Sequence, residues 1–227
     1  MLGKRKRVEE ERIRQWGEDL LKAVAHRRDL EGTWEPEGML PPEAAHQAER
    51  VMAQLEASEQ AVWKEGGWRL TPQGRVRALE LLRAHRLVET YLARKEGRAP
   101  SDLHAEADEA EHHMTPEGIN QLADLMNRPR FDPHGDPIPE RARDLHRVEQ
   151  IHLKDTPEGM LAQVAHIEDE PASDFVVLNE MGLALELPLR VVSQTTRSTG
   201  IELAGEMLEL PTHLAAHIEV VPYPESI

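Results

Sequence analysis

Two Thr-Pro pairs restrict where the helices of this chain can begin. Thr71-Pro72 and Thr115-Pro116 each place a hydroxyl at the N-cap, where it can accept a hydrogen bond from the first turn, and a proline at the first helical position. A long leucine-rich helix is therefore predicted from Pro72 to about Lys95, and a shorter one from Pro116 to about Met126. The segment between them predicts a third helix with Ser101 as its cap.

Residues 1–74 have the element order of a winged helix-turn-helix domain. A helix is predicted from about Val8 to Leu30, another from about Pro42 to Ser58, and a β-hairpin around Glu65-Gly66-Gly67. The second helix of such a domain would fall at about Gly32 to Leu40. There the sequence GTWEPEGML contains proline and two glycines, so a regular helix is not expected.

The second half of the chain predicts a small β domain. It follows RPRFDPHGDPIPERARD, which is dense in proline, glycine and aspartate and predicts an ordered turn and then a linker. Short apolar stretches predict strands within 160–169 and at Leu189–Ser193, Ile201–Ala204, Glu206–Leu210 and His217–Val221, with short helices at Ser173–Met181 and Pro211–Ala216.

The predicted fold class is mainly α with a small β domain. The predicted divisions are a winged-helix-like domain at 1–74, a helical domain at 75–145, a linker at 146–157 and the β domain at 158–227.

Composition excludes several kinds of chemistry. The chain has no cysteine, so disulfides, iron–sulfur clusters and thiol catalysis are excluded, and any metal must be bound by nitrogen and oxygen. The formal net charge of −15 opposes loose attraction to nucleic acid, although it does not decide what one local face does. The sequence has neither a long apolar run nor a secretory signal, so a soluble cytoplasmic protein is expected. It also lacks a nucleophile elbow and a phosphate loop, so an enzyme is not expected.

The stretch HAEADEAEHHM concentrates possible metal ligands on one predicted helix. The residues that share one stripe, at i, i+4, i+7 and i+8, are His104, Asp108, Glu111 and His112. His85 and Glu89 repeat the i, i+4 spacing on the preceding helix. A divalent cation needs several oxygen and nitrogen donors that converge, and such faces can supply them. On spacing alone, a solvated acidic face explains the stripe equally well, and a satisfied core histidine explains His85.

Three segments in the middle of the chain carry a family resemblance. They are HRLVETYL from His85, LHAEADEAEHHM from Leu103 and FDPHGDPIP from Phe131. Together they resemble the dimerisation and metal-binding domain of the diphtheria toxin repressor and manganese transport regulator family. The preceding RLTPQGR is similar to the end of that family's wing, and the C-terminal segment resembles its SH3-like (FeoA-like) β-barrel.

The resemblance implies two metal sites in each subunit. The primary site would consist of Asp19, Asp108, Glu111 and His112. The ancillary site would consist of His85, Glu89 and His104, completed from the β domain by Glu170 or Asp174. Carboxylates at positions 19 and 108 resemble the manganese branch of the family, so Mn²⁺ is expected ahead of Fe²⁺ as the cofactor.

The function implied is a metal-dependent transcriptional repressor that controls metal-uptake genes. It would act as a homodimer whose metal-bound form has the spacing that fits operator DNA. The candidate DNA contacts are His46, Gln47 and Arg50 on the recognition helix, with Lys64 and Arg69 on the wing.

A second interpretation is a metal-sensing module that does not bind DNA. Such modules resemble the cytoplasmic tails of some metal ABC-transporter permeases, so a membrane permease would then be the partner. The basic start GKRKR and the interrupted second helix both favour this alternative.

Overall fold

The computed structural model describes residues 2–27, 30–99, 103–140, 150–169 and 171–223. The chain forms two compact units. The first comprises the described residues of Met1–Lys95, His104–Arg130 and Ile138–His146, and the second those of Glu96–Leu103, Phe131–Pro137 and Arg147–Ile227. Among the described helices, none is long and apolar enough to cross a membrane.

The first unit is mostly helical. Its elements are α1 (Leu2–His26), a 3₁₀ turn (Ala45–Gln47), α2 (Ala48–Ala57), β1 (Ala61–Lys64), β2 (Gly67–Leu70), α3 (Pro72–Tyr91) with a π-helical extension (Leu92–Glu96), α4 (His104–Glu111) and α5 (Pro116–Leu125). β1 and β2 pair as the predicted antiparallel hairpin. The first helix thus begins and ends earlier than predicted, and the predicted helix from Pro42 is a set of turns before α2 begins at Ala48.

The two Thr-Pro pairs begin helices as predicted. The Thr71 hydroxyl accepts a hydrogen bond from the backbone N–H of Gly74 at 3.0 Å, and the Thr115 hydroxyl accepts one from Gly118 at 3.1 Å. Each bond satisfies one of the backbone donors that the first turn of a helix leaves without an internal partner. Ser101, the predicted cap of α4, lies outside the described residues.

Residues 30–44 contain no helix, which confirms the expectation from their prolines and glycines. Instead the segment lies along the hairpin. The backbone N–H of Trp34 donates to the carbonyl oxygen of Trp68 at 2.9 Å, and that of Trp68 donates back to Trp34 at 3.0 Å. The two indole rings lie with centroids 6.5 Å apart. Trp34 therefore forms an isolated β-bridge with Trp68 of β2.

The core of the first unit joins α1, α2 and α3. Leu20 and Leu21 of α1, Leu55 of α2 and Leu81 of α3 are each 0% exposed. Burial of a leucine side chain stabilises a fold by roughly 1.5–3 kcal/mol, so this seam fixes α1 against α3. The polar residues beside the seam on α1 and α3 are thereby held at fixed positions.

The second unit is a β domain. Its elements are β3 (Ile151–His152), a 3₁₀ turn (Leu153–Asp155), β4 (Leu161–Ile167), α6 (Ala172–Glu180), β5 (Pro188–Gln194), β6 (Ser198–Leu203), β7 (Glu206–Pro211), α7 (Thr212–Ala216) and β8 (Ile218–Pro222). The strands form one antiparallel sheet in the order β3-β8-β4-β5-β6-β7. The predicted fold class, mainly α with a small β domain, is confirmed. In the described residues the sheet stays open, because its edge strands β3 and β7 do not pair.

Part of the predicted linker belongs to this β domain. Residues 151–155, placed in the linker 146–157 by the sequence, form β3 and a 3₁₀ turn, and residues 146–149 lie outside the described part. The two-residue strand pairs with β8, which is distant in sequence. The turn predicted at FDPHGDPIP is present: the Asp132 carboxylate accepts backbone hydrogen bonds from His134 and Asp136, each at 2.9 Å.

We predict different effects of alanine at Gly74 and Gly118, the two glycines whose N–H groups donate to the capping threonines. A Cβ on Gly74 would lie 1.8 Å from the carbonyl oxygen of Gln60, whereas one on Gly118 meets only the Thr115 hydroxyl at 3.5 Å. Gly74→Ala should therefore lower the free energy of unfolding by about 1–3 kcal/mol. Gly118→Ala, its matched control, should be neutral or raise it by up to about 1 kcal/mol. Urea denaturation of both variants tests this, and equal effects would contradict it.

Candidate metal centre

Three helices of the first unit bring most of the predicted ligands together. α1 carries Asp19, α3 carries His85 and Glu89, α4 carries His104, Asp108 and Glu111, and His112 lies in the turn that follows α4. α1 and α4 both pack against α3. The apolar seams of these helices therefore set the distances between the polar side chains.

His85 lies at the centre of the first group of donors. Its Nε2 atom is 3.1 Å from Glu89 Oε1 and 3.2 Å from His104 Nδ1. One ligand atom from each of His85, His104 and Asp108 lies within 4.8 Å of the others. The side chains of His104 and Asp108 are 39% and 41% exposed, whereas His85 and Glu89 are buried. The first group is thus open to solvent on its α4 side.

Asp19, Glu111 and His112 form the second group, with one ligand atom each within 4.8 Å of the others. His112 Nε2 is 3.0 Å from Asp19 Oδ1. The buried Glu111 links the two groups, because its Oε2 atom is also 2.8 Å from His85 Nδ1. The two groups are therefore continuous through His85 and Glu111.

Glu18 positions the ring of His112. Its Oε2 atom is 2.8 Å from His112 Nδ1, and its carboxylate also accepts from Arg77 Nη2 at 2.6 Å and pairs with Arg14. Burial raises the pKa of Glu18, but the hydrogen bonds from His112 and Arg77 outweigh it and hold that pKa below its ordinary value. A carboxylate on one ring nitrogen leaves the other directed at the ligand position, as is common for histidines that bind metals.

Lys22 places an ammonium group between the two groups of donors. Its Nζ atom is 2.5 Å from Asp108 Oδ1, 3.0 Å from Glu111 Oε2 and 3.3 Å from His85 Nδ1. Burial lowers the pKa of Lys22, but the Glu111 and Asp108 carboxylates outweigh that effect and raise it above its ordinary value. Burial likewise raises the pKa of Asp108, and the Lys22 charge outweighs it and lowers that pKa. Lys22 and Asp108 are both charged at neutral pH.

The two central histidines bind protons more tightly than a free imidazole does. Burial lowers the pKa of His85, yet hydrogen bonds with Glu111 and Glu89 raise it to about 9. Burial also lowers the pKa of His112, and hydrogen bonds with Asp19 and Glu18 raise it to about 9. A metal-ligating histidine is neutral, so His85 and His112 must each lose one proton before they can bind a metal.

The donor set fits a divalent cation such as Mn²⁺ or Fe²⁺. All the donors are carboxylate oxygens and imidazole nitrogens, and the chain has no cysteine to favour a softer ion. The Oε1 atom of Glu111 is buried and has no hydrogen-bond partner in the described part of the chain. An unsatisfied buried acceptor costs roughly 1–3 kcal/mol, which coordination of a cation would relieve.

The structure differs from the predicted grouping in three respects. Asp108, assigned to the primary site, lies with His85 and His104. Asp174 lies on α6 in the second unit, with its carboxylate 3.5 Å from His217 Nε2, and Glu170 lies outside the described residues. Glu18 and Lys22 were not predicted at all. One signal could have found them, because positions 18, 19 and 22 fall within one turn of the same helix.

The predicted DNA contacts lie on α2, on the turn before it and on the hairpin. His46 and Gln47 belong to the 3₁₀ turn and not to the recognition helix. Arg50, on α2, pairs with the carboxylate of Glu9 and with the Gln47 side chain. On the hairpin, Lys64 is exposed and Arg69 pairs with Glu65.

Comparison with known proteins gives matches of two kinds. Residues 71–140 match the family model of the iron dependent repressor, metal binding and dimerisation domain. The diphtheria toxin repressor of Corynebacterium efficiens is 28% identical over 161 residues, covering 66% of this chain and 70% of that protein. A probable metal transport system membrane protein of Chlamydia trachomatis is 40% identical over 79 residues, which are 35% of this chain but 18% of that protein.

The fold is also that of a solved repressor. A manganese-dependent transcriptional repressor in complex with manganese superimposes with a TM-score of 0.81 at 24% identity, covering 91% of this chain and 100% of that one. The resemblance to the diphtheria toxin repressor and manganese transport regulator family is therefore confirmed. Helices α3, α4 and α5 all lie within residues 71–140, the segment that matches the metal-binding and dimerisation domain.

The pairing of His112 predicts a pH dependence for the metal-free protein. Its pKa is raised from 6.5 to about 9 in the fold, so its ion pairs stabilise the fold fully below pH 6.5, and that contribution is lost as the pH rises towards 9. The Tm difference between wild type and His112→Gln, measured in EDTA, should therefore shrink between pH 6.5 and 9. His113→Gln, at the exposed neighbouring histidine, is the control. A pH-independent difference for His112→Gln would contradict the assignment.

Proposed function

We propose that this protein is a metal-dependent transcriptional regulator that senses Mn²⁺ or Fe²⁺ and represses metal-uptake genes. The observation that carries the proposal is the convergence of carboxylates and imidazoles from α1, α3 and α4. All the α3 and α4 donors fall inside the segment that matches the repressor metal-binding domain. The protein is a regulator and not an enzyme.

The proposed primary site consists of Asp19, Asp108, Glu111 and His112. Three of them already meet in one group, and Asp108 lies one helical turn before His112, within reach of the same cation. A bound cation would supply the positive charge that Lys22 and the histidine protons provide in its absence. Asp19 belongs to α1 and the other ligands to α4 and the turn after it, so occupation of this site ties the two helices together.

The proposed ancillary site consists of His85, Glu89 and His104, whose ring nitrogens and carboxylate oxygen lie 3.1 to 3.3 Å apart. Glu170 and Asp174 remain candidates to complete it. Carboxylates at Asp19 and Asp108 of the primary site support Mn²⁺ ahead of Fe²⁺.

The regulator would act as a homodimer on operator DNA. The dimer would be formed through the domain that matches the family's dimerisation domain. α2 and the hairpin would face the DNA, with Lys64 and Arg69 contacting phosphate. Metal would tie α1 to the α4 region through Asp19 and so fix the spacing of the two α2 helices in the dimer.

A metal-sensing module without DNA binding is the second candidate. Two observations favour it: residues 30–44 lack the helix that would precede α2, and the metal transport membrane protein of Chlamydia trachomatis shares 40% identity over its matched segment. In that case the same metal centre would regulate a membrane permease, as its cytoplasmic domain.

We expect Mn²⁺ to raise the Tm of the protein through the α4 carboxylates. At a concentration about a hundredfold above Kd the rise should be roughly 5–10 °C for a chain of this size. Asp108→Ala with Glu111→Ala should abolish the rise. Differential scanning fluorimetry with and without Mn²⁺ measures it.

The matched control for this experiment lies on the same helix. Glu106→Ala with Glu109→Ala removes two exposed carboxylates from α4 and should keep the full metal-induced rise. An unchanged rise in the Asp108 and Glu111 variant would refute the primary-site assignment.

Binding to DNA separates the two candidate functions. An electrophoretic mobility shift with the region upstream of the protein's own operon should depend on Mn²⁺ at moderate salt. Lys64→Ala with Arg69→Ala should weaken it, because two phosphate contacts are lost. If metal binds with full affinity but produces no shift, the module that does not bind DNA is the correct function.

A further inference from the structure

We propose that the ammonium group of Lys22 is an internal competitor of the metal, which holds the cation position between Asp108 and Glu111 and must leave before that position can be occupied. This inference rests on the function proposed above. It assigns to one residue of α1 the control of how much free metal is needed to occupy the centre.

The geometry of Lys22 is that of a bound cation. Its Nζ atom is 2.5 Å from Asp108 Oδ1 and 3.0 Å from Glu111 Oε2, and both residues belong to the proposed metal sites. The side chain is only 14% exposed, and the Glu111 carboxylate that it contacts is 0% exposed. An ordinary surface lysine would leave its charge in water, since burial of an unpaired ammonium is strongly unfavourable.

Lys22 and a divalent cation cannot share this position. Asp108 and Glu111 would both have to bind the metal, and an ammonium group within hydrogen-bond distance of the same oxygens would repel it in a partly buried environment. Arg77 and Arg14 do not compete in this way, because they pair with Glu18 on the far side of the His112 ring. Lys22 is therefore the cation that metal must displace.

The exchange would also change how α1 is tied to α4. Lys22 links α1 to Asp108 and Glu111, whereas Asp19 is the proposed metal ligand of α1. The two residues are three positions apart and face the same side of the helix. Asp19 is already 3.0 Å from His112 Nε2, so displacement of Lys22 by metal would remove the Lys22 link and leave Asp19, about 4.5 Å earlier along the axis of α1, to hold the helix.

Removal of the Lys22 charge tests the proposal. Lys22→Gln keeps two hydrogen-bond donors for the carboxylates but no charge, and Lys22→Met keeps the apolar length of the side chain. Both should bind Mn²⁺ roughly tenfold or more tightly than wild type in isothermal titration calorimetry. Lys154→Gln, which removes one positive charge from the second unit, should leave the affinity unchanged.

A second measurement covers the case in which the variants fold poorly without metal. Lys22→Gln leaves Asp108 and Glu111 without their counter-charge, so its metal-free Tm should fall while its Mn²⁺-induced rise in Tm exceeds that of wild type. Both quantities can be read even from a destabilised variant.

The outcomes distinguish this inference from the proposed function. Unchanged or weaker Mn²⁺ affinity in Lys22→Gln, with binding still dependent on Asp108 and Glu111, overturns the role of Lys22 and leaves the metal sensor intact. Absence of any Mn²⁺ binding that depends on Asp108 and Glu111, in wild type and variant alike, refutes the proposed metal centre itself and with it the competition.

Discussion

Glu111 of α4 can be buried only if positive charge accompanies its carboxylate, and the fold supplies that charge from several sources. Lys22 contacts Asp108 and Glu111, and the protonated rings of His85 and His112 contact Glu111, Glu89, Asp19 and Glu18. Burial of any one of these charges alone would be unfavourable, and each is stabilised by the opposite charges beside it. The arrangement is therefore a cluster of paired charges in which a metal cation could replace the Lys22 ammonium and the histidine protons.

The apolar packing below this cluster would make the proposed exchange of cations specific. Leu20 and Leu21 lie on the same helix as Asp19 and Lys22, and they are fully buried in the α1–α2–α3 core. The backbone of α1 is thus held in place, while its polar face can present either the Lys22 ammonium or the Asp19 carboxylate with a bound metal. A loop could offer the same side chains, but it would not hold them to fixed alternatives.

Local chemistry in the sequence predicted much of the fold. The threonine caps, the Gly-Gly turn of the hairpin and the prolines of residues 30–44 each act within a few residues, and the structure follows them. β3 escaped prediction because two residues carry no periodic pattern, and only its pairing with β8, more than sixty positions away, makes it a strand.

The metal centre shows the same division between local and distant causes. Helical spacing was enough to place His85 with Glu89 and to align His104, Asp108 and Glu111 on α4. The roles of Glu18 and Lys22 depend on side-chain contacts between α1 and the α4 region, with partners 86 to 94 residues away in sequence. Helical spacing places positions 18, 19 and 22 within one turn of α1, but it does not identify their partners on α4, so the roles of Glu18 and Lys22 emerged only from the three-dimensional contacts.

The close approach of Gly74 to Gln60 also couples the hairpin to the first turn of α3, so that the two would move together. The first turn of α3 is bonded to the turn before β1 at several points: the Thr71 N–H donates to Gln60 O at 3.1 Å, and the Gln73 side chain donates to Ser58 O at 3.1 Å. His85 lies eleven residues after Gly74 on α3, about 16 Å along the helix axis. A rotation of α3 imposed at His85 would therefore be passed through these hydrogen bonds to the hairpin.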